Sequence, residues 1–335
     1  MKKSTIVFFL LGLVGLVVMF FETDFSLIDW DGKVWGLLPV WLPVILLIWA
    51  VIYAMHVISY RIILGESRKK IRAGFLVKMT LTGFALNDVT PIGLIGGEPY
   101  RIMEMKPFIG VEKAISTTLT FSVMHVFTHM LFLFTGAAAY FVIGCPGGTV
   151  ATVFVGIALV LLGLVVFAFF RSGKHRLVGS FLKFFSRIPK LGRFVTAFID
   201  KNREKIDDID RSMMEFHTRT KDFWTTAALE YGARLLEASE FYFLLRIFGA
   251  DVNFVESCIA VACASLLGNL LFLIPMQVGS REFGMAMSLG WAGVPASFGV
   301  TASLLARIRE MIYLAVGVVL ILVKTKHQKN EKGTQ

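Results

Sequence analysis

Polar surface is what this chain lacks. Of its 335 residues only 17% are charged, while 56% are hydrophobic and phenylalanine alone occurs 31 times. A soluble domain of this length needs more polar side chains to cover it, so the class is an all-α polytopic membrane protein. Apolar runs at 5–21, 36–59, 149–170 and 311–323 with its upstream extension are long enough to cross a bilayer. Cysteine is also scarce: Cys145, Cys258 and Cys263 fall into no metal or redox spacing. The last two sit in an apolar segment and read as small buried side chains. No Ser–His pair, paired-Asp metal motif or nucleotide loop is present, so hydrolase or transferase chemistry has no anchor and no cofactor is expected. No small-residue cleavage site follows the start "MKKSTIVFFLLGLVGLVVMFF". That stretch therefore reads as an uncleaved first transmembrane helix.

The charge that is present is placed unevenly. The formal net charge is +10. Lys2 and Lys3 precede the first apolar run, and Glu22, Asp24, Asp29 and Asp31 follow it. Arg61, Arg68, Lys69, Lys70 and Arg72 follow the second. Residues 171–221 carry thirteen Lys or Arg, and the chain ends "VKTKHQKNEKG". Basic loops stay on the cytoplasmic side, which puts both termini, the 60–73 loop and the 171–221 segment in the cytoplasm of a protein spanning the inner (cytoplasmic) membrane. The linkers "GCPGG" (144–148) and "GADVN" (249–253) carry no basic residue and fit the outside.

This map leaves two pieces that must enter and leave on one side. Between 74 and 171 the crossings 113–143 and 149–170 already make an even number, so 75–110 is expected to be a re-entrant hairpin from the cytoplasm. Its tip is "PIGLIGGE" (91–98). By the same count, 254–293 enters and leaves from outside, with "PMQVGSRE" (275–282) at its tip. Each tip has Pro followed seven residues later by Glu, at an offset of 184. That offset carries 36–59 onto 222–247 and 113–143 onto 296–323. The expected architecture is an inverted repeat of helix, re-entrant hairpin, helix (repeat 1 about 36–143, repeat 2 about 222–323) within one membrane domain, plus additional helices. Inverted repeats with broken helices place a binding site near the bilayer midplane.

The "GGEPYR" tip and the later "P-x3-GSRE" tip resemble the transmembrane region of the lysylphosphatidylglycerol synthase family, also called flippase-like. The resemblance covers nearly the whole chain. In that family's multiple peptide resistance factor this region precedes a soluble aminoacyl-transfer domain. Here the chain ends a dozen residues after the last helix, so aminoacylation of phosphatidylglycerol is not expected. The resemblance implies lipid translocation, or a membrane partner of envelope synthesis. Gly-Ser-Arg-Glu stands in the second tip where the first has Ile-Gly-Gly-Glu, so the two tips are not matched residue by residue.

The candidate binding residues are those of the tips and the facing stripes. They are Pro91, Gly96, Gly97, Glu98 and Arg101 in the first half, and Gly279, Ser280, Arg281 and Glu282 in the second. Arg307, Arg309 and Glu310 of the "RIRE" segment complete the set. Backbone N–H groups at the start of an outgoing half-helix suit an anion, and arginine adds charge-assisted bonds. The structural alternative is that each Glu pairs an Arg or caps backbone N–H groups to hold its hairpin. An ion at membrane depth costs ~3 kcal/mol on insertion scales and marks function. Glu230, Arg234 and Glu237 share a helix face, with Glu240 one turn further round. Asp88, His125 and His129 are candidate proton carriers on the cavity wall. The offset pairs His125 with Arg309. Zinc on the His125–His129 pair is not expected, because H-x3-H alone lacks a third ligand.

Residues 172–221 open with Phe, Leu and Val alternating with Lys and Arg, as in a helix lying on an anionic leaflet. A nucleic-acid role is excluded beside so much membrane. Two functions stay open: a flippase-like carrier of an anionic amphiphile, and a non-transporting subunit supporting an envelope-lipid synthase or glycosyltransferase. Neither the lipid nor the oligomeric state is legible from the sequence.

Overall fold

The computed structural model describes residues 35–89, 96–144, 147–172, 192–270 and 279–322. Pro91 and the first apolar run, 5–21, lie outside them, as does Pro275. The described residues are helical, with no strand among them. In chain order they form α1 (Trp35–Leu64), a 3-10 turn (Gly65–Lys70), α2 (Ala73–Val89), α3 (Gly97–Ile109), α4 (Val111–Val142) and α5 (Gly148–Ser172). Then come α6 (Gly192–Lys201), α7 (Arg203–Thr218), α8 (Thr220–Ile247), α9 (Phe254–Leu270), α10 (Ser280–Trp291) and α11 (Ala296–Leu322).

Three helical stretches among the described residues are long and apolar enough to cross a bilayer: Pro39–Lys70, Val111–Val142 and Gly148–Phe167. The last keeps most of its surface bare. Val150, Val153, Ile157, Val160 and Leu164 are all more than half exposed, an outer face that water would penalise and lipid does not. α8 and α11 are as long but carry Glu230, Arg234, Glu237, Arg307 and Glu310 on their inner faces. α2 and α9 have 17 residues each, and α3 and α10 have 13 and 12. At 1.5 Å per residue each is shorter than a hydrocarbon core of about 30 Å.

The short helices come in packed pairs, α2 on α3 and α9 on α10. Glycine sets the first approach: a Cβ at Gly97 would stand 2.1 Å from the Gly83 carbonyl oxygen. In the second pair a Cβ at Gly284 would stand 2.6 Å from the Ala264 carbonyl oxygen. Helix starts recur at about the offset read from the sequence: Trp35 with Thr220, Gly97 with Ser280, Val111 with Ala296.

The packing between the halves is reciprocal. α1 lies along α8, α2 along α11, and α9 along α4. Small residues make the last two contacts close. Gly317 of α11 faces Ala85 and Leu81 of α2, and its carbonyl accepts from the Thr82 hydroxyl at 3.2 Å. Gly136 of α4 faces Ala262 of α9.

The basic connector behaves differently from the sequence expectation where it is described. α7 buries Ile206, Ile209, Met213 and Phe216 and packs on α4. Its apolar stripe therefore meets protein. Residues 173–191, which carry most of the amphipathic pattern, lie outside the described residues.

Candidate functional site

Two polar centres sit in the interior, one at the start of α3 and one at the start of α10, joined by residues of α8. The second centre is an ion-pair lattice. Glu282, fully buried, closes the first turn of α10: its Oε2 accepts the Gly279 N–H at 2.8 Å. Gly279 holds φ +83°, a conformation that favours glycine. The other carboxylate oxygen accepts Arg307 Nε at 2.8 Å. Arg307 also reaches Glu310 at 3.0 Å, and Arg281 pairs with Glu310 and, at 3.6 Å, with Glu237. Arg309 forks onto Glu240 (Nε–Oε1 3.3 Å, Nη2–Oε2 2.9 Å) and lies 3.7 Å over the Trp49 ring. Trp49 Nε1 donates to the same carboxylate at 2.7 Å. Asp88, at the end of α2, is exposed, yet it lies within electrostatic reach of Glu310 and the three arginines.

The first centre is leaner. Arg101 is 1% exposed, and only its Nη1 is hydrogen-bonded, to Glu98 Oε1 at 3.2 Å. Ser122 donates to the same oxygen at 3.2 Å. Nε and Nη2 of Arg101 and Oε2 of Glu98 make no hydrogen bond. The guanidinium is wrapped in rings, 4.7 Å from the Phe84 centroid, 5.6 Å from Phe121 and 5.9 Å from Tyr60. The Tyr60 hydroxyl feels the charge but lies outside hydrogen-bond geometry. Gly83 makes the room, since a Cβ there would stand 2.2 Å from Arg101 Nε.

Between the centres runs a third group. His125 Nδ1 lies 2.8 Å from Glu230 Oε2, and His56 Nδ1 lies 3.0 Å from both oxygens of Glu230. Arg234 Nη2 donates to His125 Nε2 and its Nη1 to Glu237 at 3.0 Å, linking this group to Arg281. His129 faces elsewhere, toward Asn269 at 3.2 Å.

Most of the residues expected at the site are brought together, but their balance differs from the expectation. The candidate set read from the sequence holds four arginines and three glutamates, Glu98, Glu282 and Glu310. α8 turns Arg234, Glu237 and Glu240 into the same space, so Arg101, Arg234, Arg281, Arg307 and Arg309 meet five glutamates. Arg281, Arg307 and Arg309 are held by internal partners, and Arg101 stands apart from them. The amides at the starts of α10 and α3 are also engaged, Gly279 with Glu282 and Gly97 with Asn87 Oδ1 at 2.6 Å. At Gly279 a glutamate caps the amide, as in the structural alternative, whereas at Gly97 the cap is Asn87 and not Glu98.

The family model for the lysylphosphatidylglycerol synthase TM region matches residues 5–317, nearly the whole chain. The chain belongs to that family. A UPF0104 membrane protein of Methanothermobacter thermautotrophicus is 23% identical over 327 residues, covering 92% of this chain and 91% of that protein. The polar interior described above is thus set within the membrane region that gives the family its name, consistent with a lipid-related role at the membrane.

For this family member, sequence reasoning missed His56, Trp49, Asn87 and Ser122 as site residues and left Glu240 off the shared face. One signal for His56 existed: the 184-residue offset places it opposite Glu240. The same offset pairs His125 with Arg309. The second half thus has Arg309 on Glu240 where the first has His125 beside His56, with ring centroids 5.3 Å apart.

Proposed function

We propose that this chain carries an amphiphile with an anionic headgroup, of phospholipid or polyprenyl-phosphate type, across the cytoplasmic membrane. In this reading α1–α4 and α8–α11 are inverted repeats. The α2–α3 and α9–α10 pairs are re-entrant hairpins entering from opposite faces, and both termini are cytoplasmic. The headgroup passes between the hairpin tips while the tails stay in lipid. The role is transport and not covalent chemistry.

The observation that carries the reading is Arg101. A buried guanidinium with two unbonded N–H directions is costly, and two oxygens of one phosphate satisfy both at once. The opposite centre, where carboxylates hold each arginine, offers no such vacancy and serves as the rigid counterpart.

Purified protein in vesicles, with leaflet-labelled anionic and zwitterionic lipids of identical tails, tests this. Flipping of the anionic lipid is expected to exceed that of the zwitterionic one. Arg101→Lys keeps charge but loses the fork, so it is expected to slow the anionic lipid about tenfold, a barrier change of ~1.4 kcal/mol. Equal rates for the two lipids refute the anion site. No flipping at all favours the other reading, a non-transporting subunit of an envelope-lipid enzyme. Topology has its own check. Labelling Gly93→Cys from outside and Gly290→Cys from inside would contradict the inverted arrangement.

A further inference from the structure

Glu230 is the exception in the interior. It is 0% exposed, and among the described residues its ion-pair partners are two histidines, with no arginine or lysine within ion-pair distance. Every other carboxylate of the ion-pair lattice has a guanidinium. A buried carboxylate without a permanent cation is unstable unless something positive joins it.

The three side chains come from three helices, α1, α4 and α8, and converge on one point. One ligand atom from each of His56, His125 and Glu230 lies within 4.8 Å of the others. The contacts to Glu230 measure 2.8 and 3.0 Å. A tetrahedral ion with bonds of about 2.05 Å needs ligand atoms about 3.3 Å apart. An ion would open the two Glu230 contacts by a few tenths of an ångström and draw the histidine nitrogens, which lie within 4.8 Å of each other, to the same spacing.

We propose that His56, His125 and Glu230 bind a divalent first-row transition ion. Two imidazoles and one carboxylate suit Zn2+ and leave a fourth position for water or a ligand oxygen. The third ligand that the His125–His129 pair lacks comes from other helices, and His129 is not part of the set.

Arg234 gives the proposal a sign. It donates to His125 Nε2, so that nitrogen carries the lone pair and Nδ1 carries the proton facing Glu230. An ion on Nδ1 requires the proton to move to Nε2, where it collides with the Arg234 donor. Glu237, already bonded to Arg234 at 3.0 Å, is where the guanidinium turns when the ion enters. Arg234→Gln places an amide carbonyl within reach of Nε2–H, the outer-shell partner that a ligating histidine uses. The substitution is expected to tighten the ion about tenfold.

The test is metal binding by the full-length protein in detergent, and it does not depend on lipid transport. Zn2+ titration, with visible absorption of the Co2+ form as a second readout, is expected to show about one saturable ion per chain. His125→Ala and Glu230→Ala are each expected to weaken it more than ~100-fold, beyond the 10–100-fold typical of outer-shell partners. His129→Ala should leave it unchanged. Should the alanine variants fail to fold, Arg234→Gln decides by the direction of its shift. No saturable ion, or affinity unmoved by both the ligand substitutions and Arg234→Gln, overturns the proposal and leaves a proton as the partner of Glu230.

Discussion

The Arg309–Glu240 pair can be weighed by a double-mutant cycle. Both side chains are all but removed from solvent, and the carboxylate accepts from both the guanidinium fork and Trp49. Arg309→Met preserves much of the side-chain volume but leaves Glu240 charged with Trp49 as its remaining described hydrogen-bond donor. Removing one partner of a buried pair costs about 3–5 kcal/mol. Glu240→Gln keeps an acceptor for Trp49 and strands Arg309, which retains a 3.7 Å contact with Glu310. The loss of a bond to a charged group puts its cost at about 1.5–3 kcal/mol. The double variant removes both charges and should recover much of the loss, giving a coupling energy of about 2–3 kcal/mol. In detergent, thermal inactivation midpoints followed by tryptophan fluorescence give the ranking, because unfolding of such a protein is expected to be irreversible. Trp49 reports directly, since Arg309 lies on its ring. Midpoint losses of the two single variants that simply add in the double variant would show that the pair does not form in the folded protein.

Two further outcomes follow from the tips. Glu282→Gln must turn an amide NH2 toward either the Gly279 N–H or Arg307, so it is expected to cost about 2–3 kcal/mol. Glu98→Gln can place its NH2 where Oε2 has no hydrogen bond and is expected to cost about 1 kcal/mol; equal losses of thermal stability would refute this asymmetry. Gly83→Ala drives a methyl into Arg101 Nε and is expected to destabilise by about 1–3 kcal/mol. It should also lower anionic-lipid flipping as Arg101→Lys does. A Gly83→Ala protein with normal stability and flipping would mean that Arg101 does not lie against α2.

Helix placement was legible because it rests on two strong signals, apolar length and the side bias of Lys and Arg. The ends of α1, α4, α8 and α11 fall within a few residues of the expected segments. The tip glycines were legible too, because backbone close approach excludes most side chains. Partner choice was not. Nothing in the local sequence of Glu237 says that it faces Arg281 from a different helix 44 positions away, or that Glu240 turns to Arg309. A stripe on a helical wheel gives the face but not its opposite number. His56 stood in an otherwise apolar helix and was passed over. Only its companions on α4 and α8 give it meaning.

The long reach of that histidine bears on how the chain is made. His56 and Glu230 are separated by 174 positions. At about 5–20 residues per second, synthesis leaves them apart for roughly 10–35 s. Arg101 has Glu98 within its own turn and enters the bilayer already matched, whereas His56 must wait for a helix not yet translated. The first half therefore reaches the membrane incomplete, with α2 also lacking α11, and holding it there until the second half arrives is a task for the insertion machinery.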